Sequence, residues 1–249
     1  MKTIILPIFS ALLIQAATAF DHTHAAWDKL VSAHVKTDGV DYASFKKDSE
    51  DLKAYLKTFE PIKPEEFNGW KGNEQLAFLI NLYNAATIDL VLSEYPIKSF
   101  KDETGGENGP WKVEFIKTLG ATYTLDQVEH ELIRKYYNEP RIHFAVNCAS
   151  EGCPALRNEA FSAEKLVDQL EDGTKKFLED SSRNSISGST LTLSPIFDWF
   201  KEDFIKKAGS VEAFVSPYFE GKTFKKGSVT LKYSDYGWSL NEAKAAPKE

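Results

Sequence analysis

Between Asn73 and Tyr95 the chain reads NEQLAFLINLYNAATIDLVLSEY, and no other stretch restricts the fold as strongly. Leu76, Phe78, Leu79, Ile80, Leu82, Ile88, Leu90, Val91 and Leu92 fall on several faces of a helix rather than along one stripe. A helix apolar nearly all round must be enclosed by protein, so the stretch predicts a central buried helix with other elements wrapped round it. Asn73 is the expected N-cap, Glu74 and Gln75 occupy the first turn, and Pro96 is the stop. Asn81 and Asn84 interrupt the apolar surface at i, i+3. A buried amide left without partners costs about 1–3 kcal/mol, so the fold has to supply them. Either a neighbouring loop or a catalytic group or substrate could do so, which makes both asparagines candidate pocket residues.

The start of the chain has the pattern of a secretory signal. Lys2 is basic, Ile4 to Ile14 is mostly apolar, and Ala17-Thr18-Ala19 fits a small-x-small cleavage site. Cleavage after Ala19 gives a secreted or periplasmic protein. No later run of about eighteen apolar residues is expected, so the exported chain should be soluble, with no membrane partner. A net charge of −7 argues against nucleic acid and against a polybasic membrane-surface protein. Two cysteines are too few for a disulfide-dense scaffold or a four-cysteine zinc site.

The remaining chain reads as one α+β domain. Residues 20–72 form a mainly helical N-terminal part, 73–240 the main body, and 241–249 a flexible tail. Residues 111–116 and 121–124 suggest a hairpin. A helix follows from Leu125 to Tyr137, with Thr124 and Gln127 as a capping box. RIHFAVNC, 141–148, alternates as a strand would, with His143 and Asn147 on one face. Helices are expected over 162–181 and 196–207, and short strands near 191–193 and 231–233. The predicted architecture is a central buried helix, several surrounding helices and a small, mainly antiparallel sheet.

The chemistry-bearing residues cluster in the middle of the chain. Asp126, His130 and Arg134 share an i, i+4 stripe, and Glu129 lies beside His130. This is either an ordinary solvated face or a histidine base held by a carboxylate. Cys148 stands where a strand end meets Ala-Ser-Glu-Gly, a place suited to an activated thiol. Cys153 is close enough to bridge to it, so a local structural disulfide is the plainer alternative. His22 and His24, in Asp-His-Thr-His, could hold copper or zinc weakly. His-Glu-x-x-His, phosphate-loop, dinucleotide and Gly-x-Ser-x-Gly patterns are absent from the sequence, so no metal site or cofactor is assigned.

Four ordered motifs, FLINLYNAATI, LDQVEHELIR, PRIHFAVNCASEGCPALR and LSPIFDWFKEDF, resemble the bacterial branch of the family called Domain of Unknown Function 547, over roughly residues 70–205. The resemblance implies an Asn-x-Tyr-Asn motif at Asn81, Tyr83 and Asn84. It implies a Glu-His pair with a following arginine at Glu129, His130 and Arg134, and a Phe-Ala-x-x-Cys motif at Phe144, Ala145 and Cys148. Plant members of the family often lack the second cysteine, which shifts weight from a disulfide to a thiol role for Cys148. A more distant similarity to papain-like or transglutaminase-like enzymes is also implied. Their usual Cys-before-His order would here require either a permuted arrangement or His143 as the base.

The expectation is a cysteine-dependent hydrolase or transferase acting on amide bonds of small peptide-like substrates. Cys148 is its nucleophile, His130 its base, and Glu129 or Asp126 the group that orients the base. Asn81, Asn84, Arg134, His143 and Asn147 shape its pocket. The alternative is a non-catalytic binding domain with a Cys148–Cys153 disulfide and a buried Asn/His/Arg network.

Overall fold

Enclosing the long apolar helix is the task to which most of the chain is committed. The computed structural model describes residues 19–244; the expected signal segment falls almost wholly outside them. The chain enters through α1 (Ala25–His34), a short hairpin of β1 (Val35–Lys36) and β2 (Gly39–Val40), then α2 (Tyr42–Phe45), α3 (Ser49–Lys57) and α4 (Pro64–Asn68). Pro64 starts α4, where its missing N–H costs nothing in a first turn. The central helix, α5, runs Gly72–Glu94, and every residue from Leu76 to Ile88 is buried. Its cap is Lys71, not Asn73: the Lys71 N–H donates to the Glu74 carboxylate at 2.8 Å. Tyr95 is extended ahead of Pro96, which ends the helix as expected.

By length and composition α5 does pass the test for a membrane span, contrary to the expectation that no such run exists. Its apolarity is answered by protein instead, since 83% of its most apolar window is buried. Trp27, Leu30 and Val31 of α1, Phe45 of α2, and Leu52 and Tyr55 of α3 form the core with it. Each fully buried ring or aliphatic side chain of this kind contributes about 1.5–3 kcal/mol.

Beyond α5 come α6 (Phe100–Glu103) and the hairpin β3 (Ile116–Thr118) and β4 (Ala121–Tyr123), with Ile116 opposite Tyr123. Of the strand expected at 111–116, residues 111 and 112 lie in a 3-10 turn, Pro110–Lys112, which the proline at its first position favours, residues 113–115 are in neither helix nor strand, and only Ile116 belongs to β3. Helix α7 (Leu125–Gln127) carries the expected Thr124–Gln127 capping box and continues as a π-helix, Val128–Arg134. RIHFAVNC is not a strand. Pro140–Phe144 form a 3-10 turn, and 142–147 are buried without alternation. Enclosure on all sides replaced the two-faced burial that the alternation implied.

A second apolar cluster is built by α8 (Leu166–Glu179), β5 (Ser185–Ser187), β6 (Thr190–Leu193), α9 (Ile196–Trp199), α10 (Lys201–Ala208), α11 (Val211–Val215) and β7 (Thr230–Tyr233). The helix expected over 196–207 is broken at Phe200, which caps α10. Phe144, Phe177, Phe197, Phe204 and Phe214 fill the interior of this cluster. In place of one small sheet, the described residues hold three, and the largest joins β5 to β6 antiparallel and β6 to β7 parallel. Antiparallel pairing still predominates, and the α+β class stands. The segment expected to be a flexible tail begins paired: Val40 donates to the Asn241 carbonyl at 2.9 Å, and Ala243 donates to that of Val40 at 2.9 Å.

Candidate functional site

Along the seam between the two clusters runs a cleft of ≈ 240 Å³. The π-helix puts Glu129 and His130 on its wall, below Asp126 of α7. Wider winding of this kind is found mostly as single turns at functional positions. Tyr83 of α5, His143 of the 3-10 turn, Cys148, Cys153 and Pro154 complete the polar side. Trp111, Trp199, Phe200, Tyr236 and Trp238 form an aromatic side.

Two of the expected pocket residues turn out to be clamps. Asn81 donates to the Phe161 carbonyl at 2.7 Å and accepts from the Phe161 N–H at 3.0 Å. Asn84 donates to the Ala145 carbonyl at 2.9 Å and accepts from the Asn147 N–H at 2.8 Å. Asn147 in turn donates to the Pro154 carbonyl at 2.8 Å and accepts from Ala149 N–H at 2.9 Å. None of these three lines the cleft; Asn84 and Asn147 hold the backbone that carries Cys148, and Asn81 holds the segment at Phe161. Tyr236 closes over that loop at Gly152, where a Cβ would meet the tyrosine ring at 2.8 Å.

Cys148 and Cys153 are joined in a disulfide, with their Cα atoms 6.2 Å apart. The Tyr236 hydroxyl lies 3.2 Å from Cys148 Sγ and 3.3 Å from Cys153 Sγ. No histidine is hydrogen-bonded to Cys148 among the described residues. Arg183 braces the loop from outside by donating to the Cys153 carbonyl at 2.9 Å.

The histidines are arranged differently from the expected pair. Arg134 donates to His130 Nδ1 at 2.9 Å, which commits that lone pair and leaves the ring proton on Nε2, 3.7 Å from Asp126. Burial and the Arg134 charge both lower the His130 pKa. Glu129 does not orient His130. It is 8% exposed and faces Tyr83 and His143, with 4.0 Å between its carboxylate and His143 Nδ1. Burial raises the Glu129 carboxyl to about 7, although Arg134 and the Tyr83 hydrogen bond pull the other way.

His143, 3% exposed, stacks on Phe200 at 4.0 Å and lies 2.8 Å from Asp203 through Nε2. Arg134 grips the same Asp203 carboxylate with two hydrogen bonds, 2.7 and 3.2 Å. Burial would raise that carboxyl, but the bonds from His143 and Arg134 outweigh it and hold it well below the usual carboxylate range. Burial lowers the His143 pKa in spite of Asp203. Asp203 is therefore ionised and His143 neutral, with its proton on Nε2 and a free Nδ1 lone pair turned toward Glu129. The result is a chain of groups, Asp203–His143–Glu129–Tyr83, opening on the cleft.

Sequence reasoning assigned no role to Asp203, Trp199, Phe200, Tyr236 or Trp238. Their signal was aromatic density in DWFKEDF and YSDYGWSL. Residues 67–178 match the model of a family described as a protein of unknown function, DUF547. Searches of curated proteins and of solved structures find no match to this chain. The matched segment holds Tyr83, Glu129, His130, His143 and both cysteines. Asp203 and the aromatic residues from Trp199 onward lie beyond it.

Proposed function

We propose that the chain is exported, is cleaved after Ala19, and acts as a thiol-dependent hydrolase or acyl transferase on amide bonds of small peptide-like substrates. Cys148 is the nucleophile, and the disulfide to Cys153 is the resting form. A dithiol reductant takes up that bridge, becomes oxidised itself, and frees both thiols. The observation that carries the reading is Glu129, a buried carboxyl held near pH 7 in the same cleft as Cys148. A group balanced there serves as base and then as acid at neutral pH. As carboxylate it takes the thiol proton, and the thiolate adds to the substrate carbonyl. As acid it gives the proton to the leaving nitrogen while the C–N bond breaks. Water or an acceptor amine then releases the thioester. His143, fixed by Asp203, stands 4.0 Å from Glu129 with its Nδ1 lone pair facing that carboxyl, which favours the acid form of Glu129. His130 is displaced from the role of base, because Arg134 occupies its acceptor nitrogen.

The test is hydrolysis of a peptide and amide panel with and without a dithiol. Cys153→Ser is expected to be active without reductant, and Cys148→Ser inactive in both conditions. Hydrolysis retained by Cys148→Ser sinks the nucleophile, and silence of Cys153→Ser across the panel sinks the enzyme. The disulfide and the aromatic wall favour one other reading, a binding domain that uses the same cleft without chemistry. In that case ligand affinity is the same in oxidised and reduced protein.

A further inference from the structure

With cleavage after Ala19, which this inference takes over from the reading above, the exported chain begins Phe20-Asp21-His22. A free α-amine with histidine at the third position is a chelating arrangement by itself. The amine, the peptide nitrogens of the second and third residues, and the imidazole Nδ1 close two five-membered rings and one six-membered ring round one ion. Four nitrogens in a plane match the square-planar preference of Cu(II) and Ni(II). Zn(II) favours tetrahedral sites and does not displace peptide protons under neutral conditions.

Chain termini are usually loose, but this one is pinned. The Phe20 ring lies 5.0 Å from Phe78 and 5.3 Å from Phe59, and stacks on Trp70 at 5.5 Å. His22 stands edge-on to Trp70, 4.5 Å between ring centres. Its Nδ1, the nitrogen that the ring size selects, is shielded from solvent and has no hydrogen-bond partner. A shielded polar atom without a partner is uncommon enough to call for one. Among the described residues the N–H groups of Asp21 and His22 make no hydrogen bond either, whereas the next two are committed. Thr23 N–H donates to the Asp21 carboxylate at 2.9 Å, and His24 N–H to the Asp21 carbonyl at 3.1 Å. His24 lies outside the set, because its own Nδ1 is engaged by the Tyr55 hydroxyl at 2.7 Å.

We propose that the exported chain binds one Cu(II) or Ni(II) ion through the Phe20 α-amine, the peptide nitrogens of Asp21 and His22, and His22 Nδ1. Binding releases two peptide protons and the proton of the ammonium group, and no oxidation state changes.

The experiment uses the full exported protein, untagged at its N-terminus and unreduced. Its intact mass is measured, and it is titrated with Cu(II) near pH 7.5 in excess glycine. The expected result is a chain beginning at Phe20 that takes up one equivalent, with the visible band of a planar four-nitrogen Cu(II) site. Tryptophan emission falls as well, because Trp70 adjoins the ion, and equimolar Zn(II) does not compete. His22→Ala, and a chain with one glycine added before Phe20, lose the band while keeping the natural melting temperature. The added glycine moves His22 to the fourth position and leaves every side chain in place. A chain that starts at Phe20 without taking up copper overturns the site, as does undiminished binding by the extended chain. A mass that places the N-terminus elsewhere overturns the cleavage reading, and with it the site in the natural protein. None of these readouts involves Cys148, so the enzyme reading stands or falls separately.

Discussion

The asparagine stripe of α5 and the cleft beside it both place polar groups inside the protein, in opposite ways. Asn81 and Asn84 each spend a donor and an acceptor on a neighbouring backbone. Glu129 and His143 are as well buried, but their nearest partners are other titratable groups and an open cleft. The amides have one state, fully bonded, and they fix a chain path. The carboxyl and imidazole can each take or release a proton, and burial holds the two states of Glu129 close in free energy near pH 7. Burial alone does not separate scaffold from site; what matters is whether the partner is a peptide group or a proton carrier.

The largest effect is expected on the scaffold side. Asn84→Ala leaves the Asn147 N–H and the Ala145 carbonyl without partners, at about 1–3 kcal/mol each. Urea unfolding should show a loss of about 2–6 kcal/mol. Asn81→Ala should cost a similar amount through Phe161, but it leaves the Cys148 loop alone. Activity per folded molecule should therefore fall only for Asn84→Ala, and an equal fall in both would erase the distinction between the two clamps.

On the cleft side the sign reverses. Glu129 has a folded pKa raised from 4.5 to about 7. Below about pH 4 it is neutral in both states and contributes nothing. Between about pH 4 and 7 the unfolded chain releases the proton and the folded chain keeps it, so stability declines as pH rises. Glu129→Gln removes that penalty. The variant should match the natural chain near pH 4 and exceed it above pH 7 by about 1–3 kcal/mol, while losing turnover. A variant that is less stable at pH 8 would show that the carboxylate is satisfied and not held for chemistry.

A smaller effect is expected at Asp203, whose side chain is 26% exposed and so partly screened by solvent. Its folded pKa is depressed, so the stability it contributes is complete above about pH 4 and declines as pH falls below that. Asp203→Asn should cost about 1 kcal/mol at neutral pH and flatten the acid limb of the unfolding curve. It should also move the pH–rate profile, because His143 loses the anion that fixes its proton on Nε2. An unchanged profile would reduce Asp203 to a tie between α10 and the π-helix.

These contrasts also mark what the sequence could carry. The burial of α5 was legible because its apolar residues cover every face, and its end was legible in Pro96. The capping box at Thr124 and Gln127 was a local pattern, and local patterns survive folding. RIHFAVNC misled because alternation implies a strand only where a neighbour supplies the ladder bonds; here Asn84, distant in sequence, supplies them. Glu129, His130, His143 and Cys148 were legible as a set, but their pairing was not. His143 meets Asp203 across sixty positions of sequence, and Arg134 meets the same carboxylate across sixty-nine. Periodicity has no reach over such separations.

The smallest stability effect and the sharpest functional one should coincide at Trp199. Its side chain is 49% exposed, yet the ring lies 4.9 Å from Tyr236 and stacks on Trp238 at 5.8 Å. An indole half in water contributes little to the core, so Trp199→Ala should change unfolding free energy by no more than about 0.5 kcal/mol. The same ring forms part of the cleft wall, where a flat, rigid, desolvating face is worth most to a ligand. If the aromatic side binds and the carboxyl side reacts, KM for a peptide-like substrate should rise about tenfold with kcat unchanged. Glu129→Gln should do the reverse, lowering kcat at constant KM. A Trp199→Ala protein that loses kcat instead would place the indole against the reacting bond, and the division of the cleft into a binding wall and a proton-carrying wall would have to be redrawn.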